Sequence, residues 1–579
     1  MEKNIDLNEI QKDVGEYVSK KYGLKLKLAG SESFPEALKD GSQNEEEVKD
    51  AIKSINFDMK PAQLKAYLDE YMVKQDEAKQ ILSTKICTHF NRIKRFELNR
   101  RKKHQDTVGE IKNNIIMIGP TGVGKTFLIK LIANKIGIPF VKGDATKFSE
   151  TGYVGGDVED LVRDLVHEAK GDIELAQYGI IYLDEVDKLA GSHNAIGLDV
   201  SRSGVQRALL KPMEETEVEL KVPHDPISQI EAIQEYQKTG KRERKKISTR
   251  HILFIMSGAF NSLDTIVKKR RNLQRIGFGA KIQPKNDQVG NLKYVKAEDL
   301  VSYGFESEFI GRLPVVTIFE HLEAEDLFKI LENPKSPIIV GKKRDFKSYG
   351  IDLQFEDAAL HKIAQKAFKE KTGARALVSA MERVLMKFEH TLPSTDIRHL
   401  VVTGKMVDDP QVELDSILTN PYDPDREAAF LRLQAEEEDR LEEYIHRKIP
   451  QWQELYKSNF SDERIRLIIR YSLDMQTDME VAVEEIIAIE KAVHDFAETF
   501  SKCNELEMSF TDEAIDCLAR KVWQDSIDVQ AYLKRILQNY EHGLKLIREK
   551  TGKRHFLISA EALENPEIFL NCLIQEVYH

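Results

Sequence analysis

The sequence predicts an α/β protein: a region built on a mostly parallel sheet with helices on both faces, followed by α-rich segments. Three observations predict this. Short apolar runs, IIMI, IIYL and ILFIM, alternate with helical segments beyond Arg95, the pattern of strands buried by crossover helices. The first of these runs leads directly into GPTGVGKT (119–126), a glycine-rich phosphate loop that opens a helix. After about Glu320 strand-like runs thin out and helical periodicity takes over.

Size and composition bound the rest. At 579 residues, and roughly 100–200 residues per domain, the chain holds several compact units. Hydrophobic residues make up 41% and charged residues 32%, as in soluble globular proteins. The 86 Lys and Arg against 97 Asp and Glu give a net charge of −11, which argues against nucleic acid as the main partner. Apolar stretches are strand-sized and the polar N-terminus lacks a signal-peptide core, so no membrane role is expected and a cytoplasmic location is. Cys87, Cys503, Cys517 and Cys572 form no CxxC pair, and neither a zinc module nor a disulfide framework is indicated.

Taken in order, residues 1–58 are charged and helix-prone. The run from Pro61 to about Arg95 sets Leu64, Leu68, Met72, Ile81 and Phe90 among polar residues, which predicts helices around a short break. In the phosphate loop of Gly119, Pro120, Thr121, Gly122, Val123 and Gly124, the glycines let backbone N–H groups wrap the phosphates. Lys125 offsets β/γ charge, the Thr126 hydroxyl ligates Mg²⁺, and Phe127 begins the following helix. The motif predicts binding of ATP or GTP.

Asp184 and Glu185 end the apolar run IIYL, where an acidic pair stands beside the phosphates at the carboxyl edge of the sheet. Asp184 is expected to hold Mg²⁺ through water and Glu185 to polarise the attacking water. Gly152, Tyr153, Val154 and Gly155 place an aromatic and a β-branched residue between glycines. They read equally as a mobile loop tip and as a turn whose Tyr153 packs back onto the domain. A phosphate cradle, an aromatic tip and an acidic water site within seventy residues suggest a motor.

Further on, Gln411–Asp425, with Pro421 and Pro424, reads as a linker, and AEEEDRLEEY beyond it as a solvated helical face. LQFEDAALHKIAQKAF from Leu353 matches MSFTDEAIDCLARKVW from Met508, and HLVVTGKMVDDP (399–410) matches HFLISAEALENP (555–566) at nearly the same offset. The ordered pair of matches favours a duplicated small helical domain over chance similarity.

From about Met59 to Pro410 the chain resembles the ClpX family of AAA+ unfoldases, with HslU as a cousin of some segments. The stretches DATKFSETGYVGGDVEDLV, GIIYLDEVDKLA, LDVSRSGVQRALLK, ILFIMSGAF, IGFGA, EFIGRLPVV and KTGARAL carry the resemblance, in family order. It implies a P-loop AAA+ large domain with a parallel sheet and helices (59–319) and an α-rich small domain (320–410). A linker and acidic helical region (411–500) and a degenerate second small-domain-like repeat (501–579) form a mainly helical C-terminal extension.

The resemblance also implies roles. Met72 and Val73 would pack on adenine, Ser257 would be the first sensor, Arg312 the arginine finger acting on the next subunit, and Arg375 the second sensor. Tyr153 and Val154 would grip an unfolded polypeptide, and DVSRSG (199–204) would be a second pore loop. Ile276, Gly277 and Phe278 match the tripeptide that docks on the ClpP peptidase; by composition they fit an exposed tip or a small core contact. The chain departs from the family in three places. Residues 1–55 contain no cysteine of a zinc-binding domain, Val222–Thr249 replaces the RKH loop with an insertion bearing KRERKK, and DSIDVQAYL (525–533) lacks the sensor arginine.

The expectation is therefore an ATP- and Mg²⁺-dependent unfoldase and translocase, a homo-hexameric ring acting on unfolded or tagged proteins and feeding a ClpP-type peptidase. The alternative is a remodelling chaperone ATPase that works without a peptidase. A nucleic-acid-associated ATPase is a weaker third reading.

Overall fold

Apolar runs become strands where expected, and two shorter runs join them. The computed structural model describes residues 59–101, 112–148, 156–191, 200–220, 245–273 and 291–571, apart from 505, 526, 553, 566 and 567, together with 573 and 575. Chain order gives β1 (Ile115–Ile118), β2 (Phe140–Asp144), β3 (Ile180–Asp184), β4 (Glu217–Glu219), β5 (Lys246–Ser248), β6 (Leu253–Gly258) and β7 (Val315–Ile318). Five of them form one parallel sheet in the order β2-β3-β6-β1-β7, and β4 pairs antiparallel with β5. The chain leaves β1 toward β2 on one side and later returns to β7 on the other. That reversal opens a crevice at the carboxyl end of β1, where ligands bind in such sheets.

β1, β3 and β6 are buried on both faces along nearly their whole length, which is why their sequences are almost unbroken apolar runs. Ile115, Met117, Ile180, Tyr182, Leu253 and Ile255 share one core with the helices Pro61–Tyr71, Asp76–Arg101 and Lys125–Ile136. Ile116, Ile118, Ile181, Leu183, Phe254 and Met256 face the opposite core, which includes the helices Asp160–Glu168 and Val200–Met213. The first core continues without a break into Leu327, Ile363, Leu377 and Phe388 of the segment after β7.

That segment comprises the helices Ala324–Glu332 and Pro337–Lys347, strand β8 (Asp352–Phe355), the helices Asp357–Lys369 and Arg375–Thr391, strand β9 (His399–Val402) and the helix Gly404–Asp408. The same order recurs as Asp462–Met475, Met479–Asn504, β10 (Glu507–Phe510), Asp512–Asp525, Val529–Thr551, β11 (His555–Ile558) and Ala560–Glu564. Both strand pairs are parallel and in equivalent register, Asp352 opposite His399 and Glu507 opposite His555.

The expected linker is not one: residues 410–419 form the helix Pro410–Thr419. Asp409 caps it by accepting from the amides of Gln411 and Val412, Pro410 occupies the first turn, and Leu414 and Ile417 are buried. Only residues 420–423 separate it from the helix Pro424–Tyr456. The acidic face of that long helix is likewise only partly solvated. Glu437 takes the buried Lys343 ammonium at 2.6 Å and the Gln354 amide at 2.8 Å.

The extension is fastened across the junction between the two preceding parts. Lys335, whose side chain is 8% exposed, lies 2.9 Å from Glu70 and 3.6 Å from Glu480, with the Tyr71 and Tyr444 rings beneath it. Glu70 also accepts from Tyr444 Oη at 3.1 Å and from Lys448, and Tyr71 Oη donates to Asp478 at 2.9 Å. Burial alone would raise the Glu70 carboxyl, but Lys448 and Lys335 outweigh it and hold the group below its ordinary 4.5. Deeper in the extension, the fully buried Arg464 binds Asp516 at 2.7 Å and Glu490 at 3.1 Å.

Glu70→Ala removes the carboxylate that Lys448 contacts and leaves Lys335 with the longer pairs to Glu480 and Asp478, and is expected to cost roughly 3 kcal/mol in chemical denaturation. Lys502→Ala, which removes an exposed pair with Glu498, should leave stability nearly unchanged. Equal effects of the two substitutions would contradict the fastening role.

Candidate nucleotide site

The helix Lys125–Ile136 starts from Gly124, whose φ of +93° lies in the left-handed region. A side chain there would be strained, and its Cβ would stand 2.8 Å from Met72 Cε. Met72 is therefore in contact with the loop, buried at 7% exposure, with Val73 half-buried beside it. Val123 is buried, Phe127 packs partly into the core, Thr121 is exposed, and Gly119 follows β1 directly. The Lys125 ammonium donates to the carbonyls of Gly119 at 2.5 Å and Pro120 at 2.8 Å. Burial pushes its pKa down to about 8, while Asp184 and Asp187 pull the other way.

Strand register assembles the acidic side of the site. Leu183 pairs with Met256, so the next step brings Asp184 beside Ser257, whose hydroxyl donates to Asp184 Oδ1 at 3.3 Å. Lys142 stands 3.2 Å from the other carboxylate oxygen. Thr126 Oγ1 donates to Tyr182 Oη at 3.1 Å, and burial pushes the Tyr182 phenol up to about 12. Glu185 is exposed and adopts φ +57°, a left-handed conformation that costs a non-glycine residue about 1–3 kcal/mol. It directly follows β3, at the carboxyl edge of the sheet.

The residues present fit the groups the motif implies. A glycine cradle with a buried ammonium suits a polyphosphate, and the Thr126 hydroxyl with the Asp184 carboxylate is an all-oxygen donor set suited to Mg²⁺.

The two arginines fall in different places. Arg375 opens the helix Arg375–Thr391, and the turn before it lies on the phosphate loop: Ala374 N donates to Gly122 O at 2.8 Å. Arg375 is close enough for its charge to lower the Lys125 pKa. Arg312, by contrast, precedes β7, and its carbonyl accepts from Asn114, which precedes β1. It sits at the amino edge of the sheet, about 16 Å from the phosphate loop by strand rise. Its guanidinium is 2.5 Å from Glu214, an exposed pair.

Gly152, Tyr153, Val154 and Gly155, and Ile276, Gly277 and Phe278, lie outside the described residues. Residues 200–204 of the DVSRSG segment belong to the helix Val200–Met213. The sequence reading missed Tyr182, Lys142 and the seat of the 372–374 turn on Gly122. Tyr182 had a signal, because the two-residue period of a strand puts it on the same side as Asp184. The other two are contacts between distant segments, with no local signature.

Gly122 has φ +74°, and a Cβ there would lie 2.1 Å from Thr372 O. Gly122→Ala is expected to displace the 372–375 turn and weaken ATP binding at least tenfold in equilibrium titration. Gly171→Ala, also at positive φ but with open space around it, should leave binding unchanged. Unaltered affinity in the Gly122 variant would contradict the seat.

Comparison with known proteins agrees with this geometry. The family model for the AAA domain (Cdc48 subfamily) matches residues 110–316, and that for the C-terminal, D2-small domain, of ClpB protein matches residues 322–388. The ATP-dependent Clp protease ATP-binding subunit ClpX of Borrelia duttonii (strain Ly) is 40% identical over 356 residues, 61% of this chain and 79% of the relative. The protein of the same name from Borrelia recurrentis (strain A1) gives the same values. That from Treponema denticola is 40% identical over 352 residues, 60% of this chain and 81% of the relative. The chain belongs to the ClpX family of AAA+ proteins and is a nucleotide-binding, ATP-hydrolysing Clp-type ATPase.

Proposed function

We propose that this ATPase is a ring-forming protein unfoldase and translocase that delivers polypeptides to a ClpP-type peptidase. The observation that carries the ring is the position of Arg312, about 16 Å from its own phosphate loop by strand rise and exposed at the opposite edge of the sheet. An arginine so placed serves a phosphate held by a neighbouring copy, and a chain of such contacts closes into a ring. A hexamer is the assembly the ClpX likeness favours.

Bound ATP with Mg²⁺ supplies a γ-phosphoryl group for transfer to water. Lys125 and the backbone N–H groups of 121–126 would hold the phosphates, and Thr126 and Asp184 would hold the metal. Ser257 orients Asp184, and the Glu185 carboxylate takes the proton of the attacking water. The turn 372–375 carries the state of the phosphate loop to the small domain. Motion of that domain would displace Tyr153 and Val154 along the pore, with Ile276, Gly277 and Phe278 held to the peptidase. The names of the relatives, which are subunits of an ATP-dependent Clp protease, support the peptidase half of this reading. In the second repeat, Asp528 caps the helix Val529–Thr551 at the place where Arg375 opens its counterpart. A carboxylate there disfavours phosphate, so the extension is a structural or recruitment part.

Glu185→Gln should bind ATP within about threefold of the parent and lose turnover by at least about 100-fold, while retaining substrate and peptidase in a pull-down. Adding Phe278→Ala should remove the peptidase and leave the substrate. Normal turnover in the first variant would refute the hydrolytic assignment; peptidase retained in the second would refute the docking tripeptide.

A further inference from the structure

The two strand pairs outside the main sheet bury the same inner face and differ on the outer one. Leu353, Phe355, Leu400 and Val402 are buried in the first pair, as are Met508, Phe510, Phe556 and Ile558 in the second. By register, the outer face of the first carries Asp352, Gln354, His399 and Val401, and that of the second carries Glu507, Ser509, His555 and Leu557. Val401 is 8% exposed, and its counterpart Leu557 is 53% exposed.

What covers the first face is a helix of this chain. Along Pro424–Tyr456, Glu427 accepts from His399 Nδ1 at 2.8 Å, and Phe430 stacks on the His399 ring at 4.2 Å between centroids. Phe430 and Leu433 close a small core over Val401. The seat thus reads one stripe with a carboxylate, then an aromatic three residues on, then an aliphatic three further. On the second face, His555 occupies the place of His399 and holds Ser509 Oγ at 3.1 Å. Leu557 offers the aliphatic floor.

We propose that the outer face of β10 and β11 is a docking site for an amphipathic helix of a partner protein carrying the same stripe: a carboxylate for His555, an aromatic ring over it, and an aliphatic residue over Leu557. The duplicated face supplies the argument for this occupant. The chain covers its first copy with such a helix and leaves its second copy with the complementary imidazole and apolar floor exposed. Ser509 replaces Gln354, so the hydrogen bond that the first face gives to Glu437 has no counterpart, and selection rests on the three-residue stripe. The face is distinct from the nucleotide site, and occupying it would bring a partner to the ring without involving the hydrolytic residues.

A fluorescent peptide spanning residues 422–440 of this chain is the probe, titrated against the full-length protein with fluorescence anisotropy as the readout. The expected result is saturable binding, weakened at least tenfold by Leu557→Glu in the protein and by Phe430→Ala in the peptide. Thermal melting and ATPase rate should be unchanged, since Leu557 is exposed and remote from catalysis. Absence of saturation, or binding indifferent to Leu557→Glu, would overturn the proposal. So would association of the protein with itself that Leu557→Glu abolishes and the peptide fails to compete with, which would assign the face to a second copy.

Discussion

The hydrogen bond from Ala374 N to Gly122 O is the contact on which the rest of this architecture turns. Two glycines at positive φ, Gly122 and Gly373, face each other so closely that a Cβ on either would clash with the other segment. Neither backbone can carry a side chain there without parting. The phosphate loop and the segment after β7 are therefore joined through main chain, and a shift of the loop is transmitted without side-chain slack. Arg375 directly follows Ala374, and its charge helps to lower the Lys125 pKa.

A second joint lies at the other end of the same lever. Glu70 and Tyr71 close the helix that leads straight to Met72, and both are held by Lys335 and by residues of the extension. Lys135, at the far end of the helix that begins in the phosphate loop, reaches Glu480 as well. The extension thus touches the helix leading to Met72, the phosphate-loop helix and the small domain together. Its charges are largely buried and mutually paired, so the arrangement fixes orientation more than it adds stability. A rigid brace across a moving joint would limit how far the two parts rotate during turnover.

The sequence made the sheet and the phosphate loop legible because their signals are local: unbroken apolar runs and a glycine-lysine motif that only a strand–loop–helix context satisfies. The strand end bearing Asp184 and Glu185 was legible for the same reason. The linker expected over Gln411–Asp425 is helical in its first half because Asp409 and Pro410 cap and start a helix whose Leu414 and Ile417 face the core, a local signal that Pro421 and Pro424 outweigh in the sequence. The acidic run is exposed at Glu436, Glu438, Asp439, Glu442 and Glu443, as a solvated face; Glu437 is the exception, and its buried partner, Lys343, lies far away in sequence. Pairing across such separations leaves no periodic trace. The repeat was visible as similarity; what its two copies do differently became visible only through the exposure of Leu557 against Val401.

The central claim is that Arg312 completes the site of a neighbouring copy. Glu185→Gln and Arg312→Ala proteins, each inactive alone, are mixed under conditions that allow subunit exchange, and the ATPase rate is followed. Action between subunits predicts that activity returns, because mixed rings contain interfaces where an intact Glu185 meets an intact Arg312. A mixture as inactive as its components, with exchange verified, or an Arg312→Ala protein that hydrolyses ATP normally by itself, would contradict the account.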